Sequence, residues 1–484
     1  MGFPLIIQGG MGAGVSGWPL ARAVSMAGQL GVVAGTALPT ILARRLQSGG
    51  LDDRLSRALK AFPVQEVVKR VLSRYESWGG KPDAEPFKLH SMSGVRQPQS
   101  LLELTVVANF VEIFLAKEGH RGLVGLNLLE KIQLPNLPSL FGAMLAGVDY
   151  VLMGAGIPRF IPGVLDGLSR GEPVEMKVDV QGALPGDHFV SSFDPSALLG
   201  RPATPLLRPR FLGIVSSTTL AVTLARKSNG RVDGFVVEGS SAGGHNAPPR
   251  TGGELTPDGQ PVYGPRDFPD LEKIRALGLP FWLGGSYGRP GRLAEARAKG
   301  AAGIQVGTAF AFCRESGILP EIKDDMIRRS RSGTVRVFTD PLASPTGFPL
   351  KVAEIEGTVS EEAIYRDRAR ICDLGYLRRP YRQPDGKVGY RCPGEPVEDY
   401  LRKGGKEEET VRRKCVCNGL LATVGLGQVQ DAGQEEPPLV TAGDDLSRIA
   451  EFLKPGEDSY SAADVVERLL QNEEIESEAD LARL

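Results

Sequence analysis

Eight short apolar runs recur along the first two thirds of the chain, and a glycine-bearing loop and a helical pattern follow most of them. The runs cover residues 5–7, 31–34, 123–127, 149–153, 211–215, 234–237, 281–284 and 303–306. Continuous apolar strands that alternate with helices are typical of a parallel sheet covered on both faces. Eight such units predict an α/β fold, a (β/α)8 TIM barrel whose working face is formed by the loops after the strands. A doubly wound open sheet is the alternative, but no Gly-x-Gly-x-x-Gly motif with Rossmann spacing directly follows the first run.

Three segments fall outside this repeat and predict the domain organisation. Residues 40–79 have helical spacing and indicate a helical insertion after strand 2, over about residues 40–100. Residues 171–209 contain an alternating run, which favours a hairpin insertion between strands 4 and 5. We therefore predict a barrel domain over residues 1–339, a small loop-rich domain with cysteines over 340–428, and an acidic tail with a terminal helix over 429–484.

Composition limits the class of protein. The chain has 484 residues, of which 41% are apolar and 24% are charged, as in ordinary globular proteins. The sequence contains no run of eighteen apolar residues, so we expect no membrane span. At the start of the chain no basic segment precedes an apolar one, so we expect no signal peptide. We expect a cytoplasmic protein with no membrane partner. From Gln428 onward there are fifteen acidic and four basic residues, which indicates a solvated acidic tail.

Two glycine loops predict a phosphate site. In (β/α)8 barrels the loops after strands 7 and 8 often hold a phosphate through backbone N–H groups. Here the seventh run is followed by Gly284, Gly285 and Ser286, and the eighth contains Gln305 and leads into Gly307 and Thr308. Tight turns built from small residues are the alternative interpretation.

The end of the first strand and the loop after the sixth complete the predicted site. Gln8, Gly9, Gly10 and Met11 would let a flat ring lie against the backbone, and Gln8 or Asn127 could bind its heteroatoms. Phosphate and ring together indicate a flavin mononucleotide. Gly243 and Gly244 precede His245 on the same face, where a histidine could transfer protons while flavin transfers electrons. A histidine that only hydrogen-bonds within its loop is the alternative.

The cysteines are a second candidate site. Cys372, Cys392, Cys415 and Cys417 all lie in the predicted small domain, where thiolates could bind zinc or an iron–sulfur cluster. They lack paired Cys-x-x-Cys spacing, so reduced and partly buried thiols are the alternative. Basic and aromatic residues surround them, but glutamates 407–409 interrupt the basic patch, so nucleic acid is not expected as a partner. A metal-binding interaction protein is the competing function.

Several motifs, taken together, resemble the nitronate monooxygenase (2-nitropropane dioxygenase-like) family, which includes FMN-dependent enoyl-acyl-carrier-protein reductases. They are Pro4 to Met11, Val124 to Leu128, Ser241-Ala242-Gly243-Gly244-His245, Leu283-Gly284-Gly285, Gln305 to Phe310 and Ser344-Pro345-Thr346-Gly347. The resemblance implies an FMN barrel in which His245 transfers protons. It also implies that Gly284, Gly285, Gly307 and Thr308 bind the phosphate.

This chain departs from the family pattern at several points. Ser241 replaces the usual glutamate, and the loop after His245 is longer than in compact members. Chains of this length also resemble trans-acting enoyl reductases of polyketide and polyunsaturated fatty acid synthases. We therefore expect a small-molecule or acyl-thioester substrate, with NAD(P)H as a possible reductant and an acyl carrier protein as a possible partner. We also expect a homo-oligomer.

Overall fold

Eight parallel strands form the central sheet of this computed structural model, which describes residues 2–250, 252–430 and 433–471. In the sheet they lie in the order Ile6–Gln8, Gly303–Val306, Phe281–Gly284, Gly234–Glu238, Arg210–Val215, Tyr150–Gly154, Val124–Leu129 and Gly31–Ala34. A parallel bridge between Ile7 and Leu30 joins the two end strands, with the Gln8 amide 2.9 Å from the Leu30 carbonyl oxygen. The sheet therefore closes into the predicted (β/α)8 barrel, and all eight predicted strands are confirmed.

The strands alternate with helices along the chain. The strands are β1 Ile6–Gln8, β2 Gly31–Ala34, β3 Val124–Leu129, β4 Tyr150–Gly154, β5 Val174–Lys177, β6 Val190–Phe193, β7 Arg210–Val215, β8 Gly234–Glu238, β9 Gly244–His245, β10 Phe281–Gly284, β11 Gly303–Val306, β12 Val337–Asp340, β13 Leu350–Ala353, β14 Arg379–Arg382 and β15 Val388–Arg391. The helices are α1 Trp18–Met26, α2 Leu38–Gln47, α3 Asp53–Ala61, α4 Gln65–Tyr75, α5 Gln99–Lys117, α6 Asn136–Leu145, α7 Ile161–Ser169, α8 Pro195–Leu199, α9 Thr218–Lys227, α10 Leu271–Arg275, α11 Arg292–Ala298, α12 Thr308–Ala311, α13 Pro320–Ser332, α14 Glu362–Asp367, α15 Val397–Arg402, α16 Val416–Thr423 and α17 Ala462–Leu470. Three 3-10 helices cover Pro265–Asp267, Glu407–Thr410 and Asp444–Phe452.

A packed core fills the barrel. Its buried members come from alternate positions of the strands and include Ile7, Tyr150, Leu212 and Trp282. The period of two in a strand sends neighbouring side chains to opposite faces, so these residues point inward while their neighbours pack under the helices. The Trp282 indole donates to the Pro4 carbonyl oxygen at 2.7 Å. The interior is thus solid, and a ligand has room only at an end of the barrel.

The segments outside the strand–helix repeat have their own structure. Helices α2 to α5 follow β2, and β5 and β6 pair antiparallel between β4 and β7. Asp52 caps α3 by accepting the Leu55 amide at 2.7 Å. At the other end of the chain, Ser461 caps α17, where it accepts the Asp464 amide at 3.1 Å. These caps satisfy amides that have no partner inside the helix.

The C-terminal half of the chain packs on the working face of the barrel. β13 pairs with β12 on one side and with β9 on the other. Ile132, which follows β3, shares an apolar cluster with Leu350 and Val352 of β13 and with Val416 of α16. The loops after the barrel strands are therefore covered by later parts of the chain.

One helix, α5, is long and apolar enough to cross a membrane by length and composition. Its most apolar window is 78% buried inside the protein. α5 packs against α6 and α2, so burial in the core accounts for its apolar character.

Candidate active site

A cavity of about 470 Å³ lies at the carboxyl ends of the barrel strands. Its walls come from the loops after the barrel strands and from segments of the C-terminal half. Cofactor and substrate sites commonly have volumes of roughly 300–1,000 Å³. The predicted site residues that line it are Gly9, Gly10, Met11, Asn127, Gly243, Gly244, His245, Gly285, Ser286, Gln305, Gly307 and Thr308. Gln8 and Gly284 do not line it.

The loop after β10 has a backbone conformation suited to close contact with a ligand. Gly285 has a φ of +85° and Ser286 a φ of +57°, both in the left-handed region. A Cβ on Gly285 would lie 3.0 Å from the Ser241 hydroxyl oxygen. Consecutive backbone amides in turns of this kind form concave sites for anions. Thr308, on the neighbouring loop after β11, has a hydroxyl that accepts the Gly443 amide at 2.9 Å.

The loop after β1 and the end of β3 form a second wall of the cavity. A Cβ on Gly10 would lie only 2.3 Å from the Asn127 Cβ, so only glycine fits there. The Asn127 side-chain oxygen is buried and has no hydrogen-bond partner. Because an unpaired buried polar atom costs free energy, this oxygen indicates a missing donor from a ligand.

Gln8 holds the barrel together instead of facing the cavity. Its side-chain oxygen accepts the Val32 amide at 2.9 Å, and its amide nitrogen donates to the Ser16 hydroxyl at 2.9 Å. The prediction that Gln8 binds a cofactor was therefore wrong. Gly284 is buried inside β10, one residue before the loop that lines the cavity. Gly285 and Ser286, which follow it, line the cavity, and the contact of Gly284 with a phosphate stays a prediction.

His245 is held from two sides. Its backbone pairs with Leu350 of β13, and its Nε2 lies 2.6 Å from the Ser344 hydroxyl oxygen. Burial, with a smaller contribution from the Lys131 ammonium, holds the pKa of His245 well below its usual value of 6.5. At neutral pH the imidazole is therefore uncharged and can accept a proton.

Lys131 adds a second perturbed group near His245. Its amino group is buried without a hydrogen-bond partner and lies 4.7 Å from the centre of the Phe348 ring. Burial, followed by the charge of Arg379, lowers the pKa of Lys131 to about 7. Sequence reasoning missed Lys131, because a lysine in a loop after a strand is usually solvated.

Glu238 is an acid in the cavity wall that sequence reasoning also missed. It is the last residue of β8 and accepts a hydrogen bond from the Gln305 side chain at 3.1 Å. Burial raises the pKa of Glu238 to about 7, and the hydrogen bond from Gln305 opposes that rise. A charged residue at the carboxyl end of a barrel strand was the available signal.

A C-terminal strap, residues 441–445, completes the cavity. The Asp445 carboxylate accepts the Gly288 amide at 3.2 Å and pairs with the Arg289 guanidinium at 3.2 Å. The Asp444 amide donates to the Ser241 carbonyl oxygen at 3.1 Å. No sequence signal connects this strap with loops more than 150 residues earlier, because only tertiary packing brings them together.

The predicted four-cysteine metal site does not form. Cys417 lines the main cavity, whereas Cys372 lines a separate surface pocket with Glu395 and Lys403. Cys415 precedes α16, with its sulfur 3.6 Å from the Asn418 amide nitrogen. Burial raises the pKa of Cys415 to about 11, and the Cys372 and Cys392 thiols hydrogen-bond to each other. Within residues 2–250, 252–430 and 433–471, no three His, Cys, Asp or Glu side chains are arranged to hold a metal ion.

Comparisons with known proteins give structural likenesses only. No family model matches the sequence, and no curated protein does. FabK from Thermotoga maritima is 16% identical with a TM-score of 0.45, covering 99% of this chain and 95% of FabK. The nitroalkane oxidase from Streptomyces ansochromogenes is 16% identical with a TM-score of 0.43, covering 100% and 98%. The enoyl reductase domain of MlnA from Bacillus amyloliquefaciens is 12% identical with a TM-score of 0.44, covering 99% and 95%.

Proposed function

We propose that this protein is an FMN-dependent oxidoreductase that binds its cofactor in the cavity at the mouth of the barrel. The observation that carries the proposal is the composition of that one cavity. It brings together the loops at Gly285 and Gly307, the unpaired oxygen of Asn127 and the uncharged imidazole of His245.

The cavity residues fit the parts of FMN. The backbone amides of Gly285, Ser286 and Gly307 would hold the phosphate. The small residues before Met11 leave a flat surface for the ring, and the Asn127 oxygen offers an acceptor to a ring N–H. Bound FMN would supply electron transfer.

His245 is the proposed base. With its pKa held well below 6.5, the imidazole is uncharged at pH 7 and can take a proton from a carbon next to an electron-withdrawing group. The contact with Ser344 fixes the orientation of the ring. This role suits a nitronate monooxygenase-like reaction, in which the substrate carbon carries a nitro group.

An NAD(P)H-dependent enoyl-thioester reductase is the second candidate. The observation that favours it is the apolar part of the cavity wall, which includes Leu129, Ile132, Leu377 and Leu420. Such a wall suits an acyl chain, which burial stabilises by about 0.8 kcal/mol per methylene group. The chain could be delivered by an acyl carrier protein.

The first experiment is reconstitution of the purified protein with FMN. One FMN should bind per chain and give a flavin absorbance spectrum; absence of binding would contradict the proposal. His245→Ala should keep FMN but lose turnover by a factor of about 100 or more, as expected when a general base is removed. The exposed His188, changed to alanine, is the matched control. Equal turnover of the two variants would refute the role of His245.

A second experiment separates the two reactions. Oxygen uptake with a nitronate would support the monooxygenase. Bleaching of the flavin by NAD(P)H without oxygen, followed by reoxidation with an enoyl thioester, would support the reductase.

A further inference from the structure

A chain of hydrogen bonds leads from the cavity wall to the outside of the barrel's working face. Tyr376 lines the cavity, and its hydroxyl lies 2.8 Å from the Thr40 hydroxyl oxygen. The same Thr40 oxygen lies 2.7 Å from Nε2 of His90. Nδ1 of His90 lies 2.8 Å from the carbonyl oxygen of Ser91, an exposed residue. Three side chains therefore connect the cavity with a histidine next to solvent.

The chemistry of the end group fixes the direction of these hydrogen bonds. A carbonyl oxygen only accepts, so Nδ1 of His90 carries the proton and donates it to Ser91. In an uncharged imidazole the other nitrogen, Nε2, then accepts, and Thr40 donates to it. Since the Thr40 hydrogen is used in this way, its oxygen accepts the hydrogen of Tyr376. All the O–H groups point from the cavity toward His90.

The middle of the chain is isolated from water. Thr40 lies in α2 and is 2% exposed, so no solvent molecule competes for its hydroxyl. His90 is only partly buried. A threonine hydroxyl that bridges a phenol and an imidazole can pass a proton in either direction when its O–H bond rotates, while its heavy atoms stay in place. A hydroxyl that only caps a backbone group lacks this ability to pass a proton between two side chains.

We propose that Tyr376, Thr40 and His90 form a proton relay between the catalytic cavity and solvent. This inference rests on the proposed oxidoreductase function, because a reaction that forms or breaks a C–H bond must exchange a proton with water. His245 is half-buried, and the hydroxyl groups that follow it, Ser344 and then Thr346, lead to no exposed imidazole among the described residues. Tyr376, Thr40 and His90 provide such a path at another part of the cavity wall.

One proton crosses in each turnover. When the substrate is oxidised, water in the cavity carries the proton that His245 has removed from the substrate carbon to the phenol oxygen of Tyr376. The phenol passes its own proton to Thr40, which passes its own to Nε2 of His90. His90 then holds an extra proton and gives it to water. The hydroxyl groups of Thr40 and Tyr376 then rotate back to their first orientation. When an enoyl thioester is reduced, His90 first takes a proton from water and both hydroxyl groups rotate toward the cavity. His90 then protonates Thr40, Thr40 protonates Tyr376, and the phenol supplies, through cavity water and His245, the proton for the α-carbon. Bound FMN would supply the hydride for the β-carbon, with NAD(P)H as the reductant.

Burial, more than the nearby charges, favours release of that proton by His90. Burial lowers the pKa of His90, and the nearby Arg44 guanidinium lowers it further. The Ser91 carbonyl and the Asp373 carboxylate act in the opposite direction. Arg44 and Asp373 are themselves 3.7 Å apart, so their effects on His90 largely oppose each other.

The test compares Thr40→Val, Thr40→Ser and Tyr376→Phe in the FMN-loaded protein. Thr40→Val has the same shape but no hydroxyl, so the proton-transfer step should slow by about tenfold or more. Thr40→Ser restores the hydroxyl and should restore the rate and the solvent isotope effect. Tyr376→Phe should slow the step as Thr40→Val does. Equal rates and isotope effects in Thr40→Val and Thr40→Ser would overturn the relay.

Nitrogen NMR of histidine-labelled protein tests the relay without turnover. The relay requires the Nδ1–H form of His90, and it requires the pKa of His90 to change in Thr40→Val but not in Thr40→Ser. An Nε2–H form would overturn the relay even if the protein binds FMN and turns over. A wild-type protein that binds no FMN would instead overturn the proposed function, whatever the form of His90.

Discussion

Replacing Glu238 with glutamine should make the protein more stable at alkaline pH and leave its stability at acidic pH almost unchanged. Glu238 ends β8 in the cavity wall, and the residual exposure of its side chain is toward that cavity. Burial raises its pKa from 4.5 to about 7. A glutamine has the same shape and keeps an oxygen that can accept the hydrogen bond from Gln305, but it does not titrate.

The magnitude follows from proton linkage. Between pH 4.5 and about 7 the folded protein holds a proton on Glu238 that the unfolded chain releases. The contribution of Glu238 to the free energy of unfolding is therefore present below pH 4.5 and is lost as the pH rises to about 7. At about 1.4 kcal/mol per pH unit, the loss reaches about 3 kcal/mol. The free energy of unfolding of Glu238→Gln does not include this loss, because glutamine does not titrate.

Urea unfolding of the FMN-free protein at several pH values between about 5 and about 8 would measure the effect. The quantity of interest is the free energy of unfolding of Glu238→Gln minus that of the wild type, because the other titrating groups cancel. Glu85, an exposed glutamate outside the cavity, provides the matched Glu85→Gln control. A difference that stays constant across the range, or that matches the control, would refute the assignment of a buried, protonated Glu238.

Three further predictions concern the cofactor loops and the base. Gly285→Ala should weaken FMN binding, because φ is +85° and the new Cβ would lie 3.0 Å from a hydroxyl oxygen. Gly147→Ala is the control: its φ is +75° and the space around it is open, so it has the same backbone cost but should leave the affinity for FMN, measured by titration, unchanged. Lys131→Met removes a positive charge near His245 and should therefore raise the pKa of His245. The acid limb of the pH–rate profile should then move to higher pH, and a limb at the wild-type pH would contradict this prediction. Asp445→Asn removes a negative charge beside the phosphate loops and should therefore tighten FMN binding, as measured by calorimetry. Weaker binding would show that Asp445 instead holds the strap in place.

Local signals in the sequence predicted most of the barrel and part of the site. Apolar runs such as β8 and β10 are continuous because a parallel strand is buried on both faces, and that signal does not depend on distant residues. Glycine loops after barrel strands likewise predicted the positions of Gly285 and Gly307 in the cavity. Gln8 failed because its polar side chain satisfies backbone groups of β2 and the Ser16 hydroxyl, and the sequence contains no sign of those partners.

The cysteines show a second limit of sequence reasoning. Cys415 and Cys417 are separated by one residue at the start of α16, and of the two only Cys417 lines the main cavity. The spacing of cysteines in a sequence predicts a metal site only when the backbone between them is known to bring their thiol groups together. The segment from Cys372 to Cys417 contains strands, helices and loops, and each of them changes the direction of the next ligand.

The sequence alone determined the (β/α)8 barrel, its working face and the presence of His245 on that face, because strand periodicity and glycine loops are local properties. Tertiary structure decided which side chains meet in the cavity. It placed Glu238 where burial raises its pKa, Lys131 near His245, and the strap at Asp445 against Gly288. It also joined Tyr376 to Thr40, more than 300 residues earlier in the chain. Such contacts depend on packing between distant segments, which no local pattern of residues records.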